Sequence, residues 1–258
     1  MRFSRTSAAA LGLLLVSAVA PAEAARHLMK VVEVYVGPAS DSDAQYIVLQ
    51  MYAGGQNQVG GHAVQVYNST DTIVGNFQFA SAVPNGANQS KILLATSAAE
   101  TRFNVSADLA MTAVIPASGG KICFDSFDCV SWGNYMGDAS NPSPTGTPFN
   151  ASSGLSAGSA IARDISAGNA SQLENGDDTN SSAADFAEAS TPQPTNNAGT
   201  VGSESSSGGS GGSGSGSGGG SGGTAMGSTG GGGGGGLAWL SLLALGVAAR
   251  LRRKRLTA

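Results

Sequence analysis

Residues 63–79 read AVQVYNSTDTIVGNFQF, and the periodicity inside them sets the fold class. Val64-Gln65-Val66 and Phe77-Gln78-Phe79 each alternate apolar and polar residues with a period of two, which describes strands with one dry and one wet face. The polar residues between them are turn formers. The spacing predicts strands over 63–67 and 73–79. Similar short runs lie on both sides, at 31–36, 46–51, 91–96, 111–115, 121–124 and 130–132, with a last strand over 159–165. An interval of roughly ten residues between such runs belongs to an antiparallel sandwich or barrel.

The breaks carry their own chemistry. Gly54-Gly55 and Gly60-Gly61 bracket a polar loop, and Pro84-Asn85-Gly86 suits a tight turn with a positive φ. Ser97-Ala98-Ala99-Glu100 has the spacing of a capping box ahead of Phe103, so one short helix is expected there. The segment 137–160 is rich in Asn, Pro, Ser, Thr and Gly and reads as a long loop. Beyond residue 135 the only aromatic residues of the domain are Phe149 and Phe186. The core is therefore front-loaded, and 175–197 reads as an extended closing arm anchored by Phe186.

Glycine accounts for 39 of the 258 residues, and positions 201–236 hold 20 of them together with 10 serines. Such a stretch has no side chains with which to build a core, and it behaves as a flexible tether. The chain divides into a signal peptide (1–25), one β-sandwich domain (26–200), a disordered linker (201–236) and a transmembrane tail with a basic end (237–258). Between 26 and 200 six Lys or Arg face 15 Asp or Glu, a balance of −9. A domain so acidic repels phosphate backbones, and no nucleic-acid partner is expected.

Both ends read as addresses. Arg2 and Arg5 precede an apolar run over 8–20, and Ala22-Glu23-Ala24 with Ala25 supplies a small-residue site for signal peptidase. At the other end an apolar run over 237–249 contains Leu237, Trp239, Leu240, Leu242, Leu243 and Leu245, followed by Arg250, Arg252 and Arg253. Thirteen helical residues rise roughly 20 Å, a marginal span of a bilayer core, and the basic cluster holds the cytoplasmic side. The glycine run from Gly230 to Gly236, the apolar stretch and the basic end together resemble the GlyGly-CTERM sorting signal of Gram-negative bacteria. The resemblance implies processing by rhombosortase, a rhomboid-like intramembrane protease, with transfer to the cell surface or release. A permanent tail anchor is the competing expectation.

Cys123 and Cys129 are the only cysteines. They stand on opposite arms of a turn through Ser126 and Phe127, and in an exported chain the spacing favours a disulfide. With His27 and His62 as the sole histidines, two thiols make a poor zinc set, and no cofactor is expected. Ca²⁺ is the one metal with hard ligands on offer, at Asn175, Asp177, Asp178, Asn180 and Asp185. Asp125 and Asp128 flank the turn and read as solvated acids. His62 is the single deep candidate base, and no Gly-x-Ser-x-Gly elbow accompanies it.

Several short motifs then converge. Val31-Val32-Glu33-Val34, Gln45-Tyr46-Ile47-Val48-Leu49, Gly60-Gly61, the stretch 129–134, the stretch 159–163, Asp185-Phe186 and 191–196 resemble the lamin-tail domain. That resemblance covers 28–197 and implies an all-β, immunoglobulin-like antiparallel sandwich. The expected function is a non-catalytic envelope or surface protein that binds a surface polymer or a protein. The alternative is a secreted hydrolase or hydrolase accessory, because bacterial lamin-tail domains often accompany such enzymes.

Overall fold

The computed structural model describes residues 26–189 and 191–204. In chain order these form β1 (Met29–Tyr35), β2 (Tyr46–Met51), β3 (Ala63–Asn68), β4 (Ile73–Gln78), β5 (Lys91–Ala95), α1 (Ser97–Phe103), β6 (Leu109–Ala110), β7 (Gly119–Phe124), β8 (Asp128–Gly133), β9 (Ala160–Arg163), a 3-10 turn (Asn175–Asp177), α2 (Ser182–Asp185) and β10 (Phe186–Ala189). One sheet has the order β10-β9-β1-β2-β5-β6 and the other β4-β3-β7-β8. All pairings are antiparallel except that of β5 with β6. Among the described residues no helix is long and apolar enough to cross a membrane.

The two sheets share one core. Val31, Val34, Ile47, Leu49, Ile92 and Leu94 from the first meet Val64, Val66, Ile122, Phe124, Val130 and Trp132 from the second. Strict alternation along β1 would send Glu33 into that core after Val31. The register shifts between Val31 and Glu33, so Val32 is an extra residue in the ladder. This bulge resets the alternation: Val34 returns to the core, and Glu33 turns outward to accept a hydrogen bond from the Tyr46 hydroxyl.

The expectation of one dry and one wet face holds for β3, where burial alternates along most of the strand, and fails for β1, β2, β7 and β8, which are buried throughout. The outer face of the first sheet carries a second apolar cluster that includes Tyr35, Tyr46, Val48, Leu93 and Phe103. Tyr35 and Tyr46 stack with ring centres 5.0 Å apart, and Phe103 of α1 meets both edge-on at 5.1 and 5.4 Å. On the second sheet the loop 134–149 covers β7 and β8. The carbonyls of Asp138 and Asn141 accept from the buried Lys121 ammonium at 3.2 and 2.8 Å, and the Phe149 N–H donates to the Ser131 carbonyl at 2.9 Å.

Three local expectations are corrected. The strand foreseen over 111–115 is absent, and only Leu109–Ala110 pairs there. The Gln45 side chain replaces the missing ladder, accepting from the Ile115 N–H at 2.8 Å and donating to its carbonyl at 3.2 Å. The helix is capped one residue early: Thr96 Oγ1 accepts from the Ala99 N–H at 3.1 Å, and Glu100 bonds the Ala107 N–H rather than closing a box. At Pro84-Asn85-Gly86 no residue has a positive φ. A Cβ at Gly86 would lie 2.4 Å from Asn57 Oδ1, so a larger residue there would have to displace the Asn57 side chain, which donates to the Val83 carbonyl.

After β10 the chain crosses the outer face of the first sheet as a strap over 191–204. The Gln193 N–H donates to Glu33 Oε1 at 2.8 Å, and the Asn197 N–H donates to Asp108 Oδ2 at 2.7 Å. The Asn197 amide donates to the Asn85 and Lys91 carbonyls, each at 3.0 Å. A tight return places Val201 opposite Thr195 and brings the Ser203 N–H onto the Phe103 carbonyl at 2.9 Å. Glu204 ends the described chain in a salt bridge with Arg102 at 3.1 Å.

Candidate functional site

The β7–β8 hairpin closes where the cysteines predicted it would. Cys123 and Cys129 stand directly opposite in the register and are joined by a disulfide. The turn between them is held by the Phe127 N–H donating to the Phe124 carbonyl at 3.0 Å, with Asp125 in the left-handed region at φ 46°. The Asp125 carboxylate accepts from the Ala63 N–H at 3.1 Å and pairs with His62 Nδ1. His62 thus fastens the hairpin tip to the start of β3.

Asp128 departs from the sequence reading. It is not a solvated turn acid but a buried carboxylate, 1% exposed, at the start of β8. Arg163 at the end of β9 reaches it with one guanidinium nitrogen, 3.1 and 2.9 Å from its two oxygens, while Arg163 Nε donates to the Val31 carbonyl at 3.0 Å. The Val31 N–H completes the set, donating to Asp128 Oδ2 at 2.7 Å. Lys30 of β1 lies 3.7 Å from Asp128 and pairs with Asp178. Asp178 and Asp185 of the closing arm approach the second guanidinium nitrogen at 3.5 and 3.6 Å. Two cations and three carboxylates from β1, β8, β9 and the arm therefore meet in one buried cluster.

Its titration follows from that crowding. Burial pushes the Asp128 carboxyl up to about 6, against the pull of Arg163 and Lys30. Burial acts the same way on Asp178, but the Lys30 hydrogen bond and the charges of Arg163 and Lys30 carry it below its ordinary value. Lys30 is held above its usual value, because the two aspartates outweigh its own desolvation.

The ligand set foreseen for Ca²⁺ is drawn into the same network. Asp178 and Asp185 point at Arg163 and Lys30, and Asp177 accepts from the Glu174 N–H at 2.6 Å. Among the described residues no group of three or more His, Cys, Asp or Glu is placed to hold a metal ion. Phe186 anchors the arm as expected, 5% exposed, with the Arg163 guanidinium 4.7 Å from its ring centre. Sequence reasoning missed Arg163 and Lys30. The available signal was scarcity, since the domain has only six basic residues and four of them, Lys30, Lys91, Lys121 and Arg163, stand in strands that are otherwise mostly apolar.

The processing residues Ala22, Ala24, Ala25, Gly230 and Gly236 lie outside the described residues. So do the membrane residues Leu237, Trp239, Leu240, Leu242, Leu243, Leu245, Arg250, Arg252 and Arg253. No family model, curated protein or solved structure matches the chain.

Proposed function

We propose that the chain is an exported, non-catalytic envelope protein. A lamin-tail-like, immunoglobulin-like sandwich is displayed by, or released from, a C-terminal sorting tail and binds a surface polymer or a protein. The observation that carries this reading is the Cys123–Cys129 disulfide, because such bonds persist in oxidising compartments and the first 25 residues have the layout of a secretory signal. Two face-to-face sheets, antiparallel but for one short pair, support the immunoglobulin-like assignment. The use of the buried charges supports a non-catalytic role, since Arg163, Lys30 and their aspartates fasten the arm to the sheets.

Intact mass of the protein recovered from cells and from medium tests the reading. The expected species begins between Glu23 and Arg26 and ends within or just after the glycine run 230–236, in the envelope fraction or the medium. Recovery of the uncut 258-residue chain from the cytosol overturns it.

A further inference from the structure

A cavity of about 160 Å³ opens on the outer face of the first sheet, between β1, β5, β9 and the strap. That is room for roughly five water molecules. Its polar lining is Glu33, Gln50, Lys91, Arg163, Thr191 and Gln193, of which Arg163 is already paired with Asp128, and Val32 and Ile165 supply an apolar side. Glu33 is only 5% exposed, and its Oε1 alone takes both the Tyr46 O–H and the Gln193 N–H. Oε2 has no hydrogen-bond partner among the described residues, yet it is not among the enclosed orphan atoms. It is the oxygen left for the cavity.

Lys91 lines the same cavity. Its charge is felt at Glu33, but its ammonium forms no ion pair among the described residues. A buried carboxylate and a cation therefore share one small cavity with no direct salt bridge between them. A neutral sugar would give neither charge an ionic partner in contact, whereas a small zwitterion gives one to each.

We propose that this cavity binds a small free α-amino acid, its ammonium on Glu33 Oε2 and its carboxylate on Lys91 Nζ. The ligand's side chain would lie beside Val32 and Ile165. The inference stands apart from the export reading, because a chain that binds no amino acid is exported and cleaved all the same.

Calorimetry and methyl NMR of the full chain with L-alanine test it, with N-acetylalanine, alaninamide and D-glucose as comparison arms. Alanine should saturate and move the methyl signals of Val32 and Ile165. N-Acetylalanine lacks the ammonium and alaninamide the carboxylate, so each should bind roughly tenfold or more weakly. Glu33→Gln keeps Oε1 for Tyr46 and Gln193 and changes only the cavity-facing atom. Lys91→Met keeps the aliphatic stem. Each should weaken alanine by a similar factor while leaving the rest of the spectrum in place. The proposal is overturned by the absence of a saturable shift with alanine, by unchanged affinity in both variants, or by binding of glucose in preference to alanine.

Discussion

Arg163 holds more of the molecule together than any other polar side chain described. Its guanidinium touches the backbone of β1, the carboxylate at the start of β8 and two aspartates of the arm, all out of water. Replacing one partner of such a set strands the others. Arg163→Met should therefore cost roughly 3 kcal/mol or more in urea unfolding. A second change, Asp128→Asn, should add less than its own single-variant cost, because the charge it removes has already lost its main partner. The same residues set a pH dependence. Asp128, Glu33 and Asp108 are raised by burial, so the folded state holds their protons more tightly than the unfolded chain does. Their contribution is full below the ordinary value of 3.8 to 4.5 and, for Asp128, is lost as pH rises through about 6. Asp178 and Asp71 are lowered, and their contribution is lost as pH falls below the ordinary range. Stability should thus peak at about pH 4, where both sets contribute, and decline as pH rises towards about 6. Unfolding midpoints measured from about pH 3 to pH 8 check it, and a steady rise to pH 8 contradicts it.

Strands announce themselves through local pattern, and coverings do not. Residues 46–51 and 63–68 were legible because β-branched and aromatic residues sit between clear turn signals. The cysteine pair was legible because six positions of separation across a turn put both on one rung. The full burial of β1 and β2 was not, because it depends on α1 and on a strap whose bond to Glu33 spans 160 positions. Nor was the role of Gln45, whose amide bonds to Ile115, seventy positions away, leave nothing in either local sequence. The strap itself yields a prediction. Its backbone and amides bond Glu33, Asp108, Asn85, Lys91 and Ser106, and it shelters the cluster that includes Tyr46 and Phe103. A chain ending at residue 190 should lose roughly 5 kcal/mol relative to one ending at residue 204, at about 1 kcal/mol for each of these five hydrogen bonds. Equal melting temperatures for the two would show that the strap lies on the sheet without supporting it.

The entry and exit of the described chain are fixed by different elements of the sandwich. Arg26 and His27 lie near Phe127 at the hairpin tip, with centres 6.0 and 6.3 Å from its ring, whereas Glu204 departs beside Arg102 of α1. A tug on the tail therefore meets a short series of catches in order. The Arg102 contact, the Ser203 bond to Phe103 and the return at Thr195 yield first, then the Asn197 clamp, and last the bond from Gln193 to Glu33. Each catch is small beside the two packed sheets, so under load the last dozen described residues should give way before the body does. The Glu33 pocket keeps its roof until the last catch slips.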